Sequence, residues 1–193
     1  MTRRLRLKKR HVSALTTAIA IFIFAGQYYG WFDSFSKTVE TAQPGMYRVA
    51  EFVDGDTIVV DMNGRDETLR FIGVDTPETH DPRKVIQCFG EAAAAHTKEL
   101  IGTNRVRLAL DPLSSNRDRY NRLLRYIYLP DGTLVNQQII RDGYGFAYTS
   151  FPFTKSDEFL AAQTYARVHN AGLWSKCEPT ANNYGGFTSN PAQ

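Results

Sequence analysis

Three short stretches hold the residues best suited to metal, phosphate or acid–base chemistry. Val53-Asp54-Gly55-Asp56-Thr57 sets two carboxylates around a glycine. Such a turn displays hard oxygen ligands of the kind Ca²⁺ or Mg²⁺ takes, although the same composition also makes an ordinary solvated hairpin. Leu69-Arg70-Phe71-Ile72-Gly73-Val74-Asp75-Thr76-Pro77-Glu78 places an arginine inside an apolar run and ends with carboxylates on either side of Thr-Pro. That arginine must reach water or a partner, and an ion pair with one of the acids would satisfy it without any chemistry. The proline stiffens the turn that displays the acids. Asp118-Arg119-Tyr120-Asn121-Arg122 adds cations and an aromatic ring; alone it is a polar turn opening a strand. Together the three supply carboxylates for a hard metal, a spare carboxylate and two arginines. That set suits phosphodiester cleavage, in which metal and arginines offset charge on the pentacovalent phosphorus and the spare carboxylate activates water.

The elements that must position these residues are mostly strands. Tyr47-Arg48-Val49 with Phe52-Val53, Thr57 to Val60 and Thr68 to Ile72 are rich in β-branched and apolar residues. Asn63-Gly64-Arg65-Asp66 is a hairpin signal between the second and third. Arg105 to Leu110 and Leu123 to Leu129 give two more strands, the last followed by the turn Pro130-Asp131-Gly132. Helices are expected over Glu91 to Leu100, stopped by Gly102, over Leu134 to Arg141, and over Ser156 to Asn170. Five strands with three interspersed helices fit an α+β fold, a five-stranded OB-type Greek-key barrel.

A length of 193 residues allows one compact domain with appendages. The formal charge of +3 is unevenly spread: six bases fall in the first ten residues, leaving 17 bases against 20 acids downstream. The body therefore has no broad cationic face, and any nucleic-acid contact rests on a few placed cations or a metal. After the basic head, residues 12–32 carry no charge and end in Tyr28, Tyr29, Trp31 and Phe32. That is about the 20 residues of an apolar helix that spans a membrane, with aromatics at the interface. The cations ahead of it put the N-terminus in the cytoplasm and the rest outside. A cleaved export signal, giving a secreted or periplasmic protein, is the competing expectation. The chain thus divides into a basic head (1–11), an anchor or signal (12–32), a linker (33–45), the main domain (46–178) and a flexible Asn/Gly/Ser-rich tail (179–193). The four histidines lack metal-ligand spacing and are expected to be surface or packing residues.

The order DGDT, LRFIGVDTPE, DRYNR resembles the staphylococcal-nuclease family from about Met46 to Cys177. Phe89-Gly90-Glu91-Ala92, Leu134-Val135-Asn136 and Gly172-Leu173-Trp174 agree with it. The resemblance implies a Ca²⁺-dependent endonuclease acting on DNA and RNA, leaving 3′-phosphate ends, and a chain expected to act as a monomer. It implies Asp56 and Asp75 as carboxylate ligands of Ca²⁺, Thr76 as a carbonyl ligand, and Asp54 just outside the ligand set. Glu78 matches the general base, Arg70 and Arg122 the phosphate-binding arginines. Arg119 and Tyr120 match residues at a flanking phosphate, and Tyr148 one beside the base. A second base-side tyrosine has no match, since Thr149-Ser150-Phe151 stands there. Asn121 replaces a glycine, a change that a left-handed turn tolerates. The alternative to an enzyme is a non-catalytic nucleic-acid-binding module. Cys88 precedes the first helix and Cys177 follows Gly172-Leu173-Trp174, so in an exported protein a disulfide between them is expected. The alternative is two unrelated thiols, one or both buried as small apolar residues.

Overall fold

The computed structural model describes residues 16, 17, 19–22, 24, 25, 45–79, 86–182 and 186–192. The chain divides into two units, Met1–Ala42 and Gln43–Gln193. In the first, the described residues between 16 and 25 are helical, with Ile19, Ile21, Phe22 and Phe24 exposed. Among the described residues no helix is long and apolar enough to cross a membrane. Most of the expected 12–32 segment lies outside them.

The second unit is built on β1 (Met46–Asp54), β2 (Thr57–Asp61), β3 (Asp66–Phe71), β5 (Arg105–Ala109) and β6 (Leu123–Tyr128). They close into a barrel in the order β1-β2-β3-β6-β5, in keeping with the expected five-stranded barrel. All neighbours are antiparallel except β3 and β6, which run parallel with Arg70 opposite Leu124. Two register shifts in β1, between Val49 and Glu51 and between Phe52 and Asp54, bend that strand around the barrel. The hairpin joining β2 to β3 turns on Asn63 (φ 59°) and Gly64 (φ 85°), the paired positive values of a two-residue turn. Asp66, expected in the turn, instead opens β3. Ile58, Val60, Leu69, Phe71, Val106, Leu123 and Ile127 fill the interior.

The helices are α1 (Gly90–Ile101), α2 (Val135–Arg141), α3 (Ser156–Val168) and the single turn α4 (Leu173–Lys176). Buried Asn136 of α2 completes the seam between β3 and β6. Its Oδ1 accepts from Ile127 N at 2.8 Å, and its Nδ2 donates to Ile72 O (3.0 Å) and Arg125 O (3.2 Å). A two-residue pair, β4 (Val74–Asp75) with β7 (Phe146–Ala147), extends beyond the barrel and carries Asp75. His96 behaves as a packing residue: it stacks on Tyr144 at 3.9 Å and meets Asp142 at 3.0 Å.

Past Cys177 the structure differs from the flexible tail expected over 179–193. β8 (Thr180–Ala181) pairs with β9 (Phe187–Thr188), and Pro191 forms a β-bridge with Gln87. Phe187 packs against Trp174 and Phe146, ring centroids 5.1 and 6.3 Å away. The polar residues that suggested looseness instead satisfy backbone groups, with Ser189 Oγ donating to Cys88 O at 2.7 Å. Cys88 and Cys177 form a disulfide, their Cα atoms 5.7 Å apart.

Candidate active site

Asp56 stands in the turn between β1 and β2 and is 5% exposed. A carboxylate so buried needs donors, and four reach it. Thr57 Oγ1 donates to Oδ1 at 3.0 Å; Thr76 N (2.9 Å) and Thr76 Oγ1 (3.1 Å) donate to Oδ2. Arg70 Nη1 completes the set at 2.8 Å. The barrel register brings that arginine there, since Arg70 on β3 pairs with Thr57 on β2. The same guanidinium donates to Val74 O at 2.8 Å and meets Asp75 Oδ1 at 3.2 Å. Arg70 therefore ties together the β1–β2 turn and β4.

Gly55 lets these turns meet. A Cβ on it would fall 2.8–2.9 Å from three atoms of the Thr76 side chain, so any larger residue pushes Thr76 off Asp56. Thr97 of α1 holds the glycine carbonyl at 2.6 Å. Asp54, on the other side of the turn, accepts from Gly55 N (2.8 Å) and Thr79 Oγ1 (3.1 Å). Its carboxyl is pushed up to about 6, mainly by burial and then by the charge of Asp56, with Glu78 adding to it. The bonds from Gly55 and Thr79 oppose the rise. Glu78 is thus close enough to be felt at Asp54, and the site concentrates negative charge around one bridging arginine.

A second group forms where the chain enters β6. Arg122 is locked to Asp118, with Nε and Nη2 both 2.7 Å from Oδ2. Burial of Asp118 acts to raise its carboxyl, but the bonds from Arg122 outweigh it and hold the group below the usual range. Tyr120 lies under both neighbouring guanidinium groups, that of Arg119 4.8 Å and that of Arg122 5.3 Å from its ring. Asn121 takes φ 65°, the left-handed value its position demands. Beside this loop an open groove of about 520 Å³ runs past Arg65, Thr68 and Arg117.

Of the expected site residues, Asp56, Arg70, Asp75 and Thr76 touch one another directly, and Glu78 follows within the same loop. Arg119, Tyr120 and Arg122 form the second group, which neighbours the first through the β3–β6 pairing. Tyr148 lies at the end of β7, its N donating to Gly73 O at 2.9 Å. Its ring is partly exposed and 6.0 Å from that of Phe151. Two supporting residues escaped the sequence reading. Asp118 had a local signal, its i,i+4 spacing to Arg122. Gln87, whose Oε1 accepts from Glu78 N at 2.8 Å, had none.

Residues 68–176 match the family model described as Staphylococcal nuclease homologue. The chain belongs to this family. It is 34% identical over 171 residues to the Thermonuclease of Staphylococcus intermedius, covering 88% of this chain and 100% of that protein. The Thermonuclease of Staphylococcus hyicus is 33% identical over the same length, 88% of this chain and 99% of its own. Endonuclease YncB of Bacillus subtilis is 39% identical over 126 residues, 64% of this chain and 59% of that protein. The matched span takes in Arg70, Asp75, Glu78 and Arg122, while Asp56 and its turn lie ahead of it.

Proposed function

We propose that this staphylococcal-nuclease homologue is a Ca²⁺-dependent endonuclease that hydrolyses DNA and RNA to 3′-phosphate ends. Its nuclease relatives support a phosphodiester-hydrolysing enzyme, and the observation that carries the finer reading is the Arg70 bridge. One guanidinium joins Asp56 (2.8 Å) and Asp75 (3.2 Å), so an anion-binding cation and hard oxygen donors converge at one point.

The donor set fits the metal. Asp56 and Asp75 carboxylates with the Thr76 carbonyl offer only oxygen, the ligand chemistry of Ca²⁺. Among the described residues no three His, Cys, Asp or Glu side chains are grouped to hold a metal ion, so the ligand set rests on the two carboxylates and the Thr76 carbonyl. Bound there, Ca²⁺ would supply Lewis-acid polarisation of a phosphoryl oxygen. Arg70 and Arg122 bind the phosphate and offset the charge that grows on its equatorial oxygens. To do so Arg122 exchanges part of its contact with Asp118 for the phosphate. Glu78 accepts the proton of the attacking water, a task for a carboxylate within hydrogen-bond reach. Arg119 and Tyr120 take a flanking phosphate, and Tyr148 lies beside the base. Residues 12–32 anchor the chain in a membrane with the nuclease domain outside, or serve as its export signal. The Cys88–Cys177 bridge suits an oxidising compartment.

The deciding experiment assays the full chain on single-stranded DNA and on RNA with Ca²⁺, Mg²⁺ or chelator, and maps the product ends. Cleavage with Ca²⁺ that chelator abolishes is expected. Undiminished cleavage in chelator would overturn the metal assignment, and binding without cleavage would favour a nucleic-acid-binding module. Membrane fractionation with intact mass tests the head: a soluble species beginning near Gly26 or Gln27 would show a cleaved signal.

A further inference from the structure

The C-terminal segment past Cys177 docks behind the loop that carries Glu78, and one residue connects the two. Gln87 N donates to Glu78 O at 3.0 Å, while Gln87 Oε1 accepts from Glu78 N at 2.8 Å. Both backbone polar groups of Glu78 are thereby held by a single residue nine positions on. Gln87 is itself held from behind. It forms an antiparallel bridge with Pro191, and its neighbours bond to the same segment. Ala192 N donates to Ile86 O at 2.8 Å, and Cys88 N donates to Asn190 O at 2.7 Å. The returning chain is anchored in turn: Asn190 Nδ2 donates to Cys177 O and Glu178 O, and the disulfide fastens Cys177 to Cys88.

We infer that residues 189–192 act as a strap that positions Glu78 for proton transfer, with Gln87 as the positioning residue. The inference rests on the reading of Glu78 as the general base. Asp56 and Asp75 are held elsewhere: Asp56 O accepts from Phe71 N at 2.9 Å in the β1–β2 turn, and Asp75 pairs with Phe146 across β4–β7, with Phe187, ahead of the strap, packed on that ring. Glu78 has no such ladder. It lies beyond Pro77, outside any strand or helix, and Gln87 holds both its N–H and its carbonyl. A general base works only from a narrow range of positions. Loosening the strap therefore lowers the rate of the chemical step and leaves substrate and Ca²⁺ binding almost untouched.

The test compares Gln87→Met, Gln87→Glu, Glu78→Gln and a chain ending at Thr188, each as the full-length protein otherwise. Gln87→Met keeps length and volume but removes the acceptor. It should lower kcat about tenfold, inside the roughly 10²-fold that a misplaced group can cost, with KM and half-saturating Ca²⁺ within about twofold. Gln87→Glu, which restores an acceptor oxygen, should recover most of kcat. The shortened chain should lose a similar factor, and Gln87→Met should add nothing in the Glu78→Gln background, as residues acting through one another do. Ser189→Ala, which removes only the bond to Cys88 O, should give a smaller fall in kcat if the shortened chain does not fold. A Gln87→Met protein with native kcat beside a Glu78→Gln protein that has collapsed would overturn the strap alone. A Glu78→Gln protein with native kcat would overturn the reading of Glu78 and the strap with it.

Discussion

The charged groups around Asp56 are held by other elements of the fold, whereas those between Asp118 and Arg122 are held by one another. At Asp56 the donors come from β2, β3 and the Thr76 loop, and the carboxylate is almost wholly buried. In the loop, Asp118 accepts from Tyr120 N, Arg122 N and the Arg122 side chain, all within four residues. Tyr120 is 55% exposed. The first arrangement cannot move without disturbing the barrel, which suits groups that must meet a reacting phosphorus at fixed distance. The second can adapt while keeping its own bonds, which suits contact with a flexible strand. Losses in the first region should therefore cost both rate and stability, and losses in the second rate or substrate binding with the fold little affected.

The largest expected effect is at the first. Arg70→Ala should cut kcat on the order of 10²-fold or more, since charge stabilisation at a developing oxyanion is worth that much. It should also destabilise the fold, because Asp56 keeps its burial and loses its cation. Rates on single-stranded DNA and thermal melts check both. Glu78→Gln should cut kcat by roughly 10²-fold or more without lowering the melting temperature, which separates a group that works on water from one that also braces the barrel. Arg122→Ala should fall nearly as far in rate but cost less stability than Arg70→Ala, because Asp118 keeps the bonds from Tyr120 N and from the backbone N of residue 122. A melting loss at Arg122 equal to that at Arg70 would break the comparison.

A smaller effect is expected at the exposed ring. Tyr120→Ala should raise KM roughly tenfold, the scale of a lost hydrogen bond to a charged phosphate, and leave kcat within a few-fold. Tyr120→Phe, which removes only the hydroxyl that meets the phosphate, should show most of that rise. A fall in kcat at constant KM would instead assign Tyr120 to the chemical step.

These two regions were legible in the sequence for different reasons. Asp56, Arg70 and Asp75 were legible only as a set and through the family resemblance, because each motif alone also reads as a solvated hairpin or a simple ion pair. The barrel strands follow from β-branched alternation, and the Asn63-Gly64 turn from the positive φ both residues adopt. Asn121 was legible for the same reason. What escaped depends on contacts between distant positions. β4 and β7 are two residues each, too short for any period. Arg125 is fully buried on β6, where its guanidinium reaches Asn116 Oδ1 at 2.7 Å, a partner nine residues away that no pattern marks. The tail looked loose because Asn, Gly and Ser favour turns. The same polar atoms can cap backbone groups once another segment arrives, as Ser189 and Asn190 do.

The smallest effect should come from a carboxylate outside both regions, and it tests whether stability and rate separate as the comparison requires. Asp111 is 2% exposed. Burial acts to raise its carboxyl, but hydrogen bonds from Thr154 and Tyr126, with the backbone N–H groups of Thr154 and Leu113, outweigh it and hold it lowered. A group lowered in the folded state stabilises the fold fully above its unfolded value, and that contribution is lost as pH falls through the folded one. Asp111→Asn keeps the shape but not the charge that Tyr126 Oη and the Thr154 donors meet. It should cost about 1 kcal/mol at neutral pH, the scale of a hydrogen bond to a charged group weakened to a neutral one. Below the ordinary aspartate range the parent and variant should converge, because the parent carboxyl is then protonated as well. Melts between pH 7 and pH 2 read this directly. The rate per folded molecule should stay at the parent value throughout. If Asp111→Asn lowered kcat at a temperature where it is fully folded, the Thr154 loop would have to be counted with the site, and the separation between a fixed pocket and an adaptable loop would no longer describe how this molecule works.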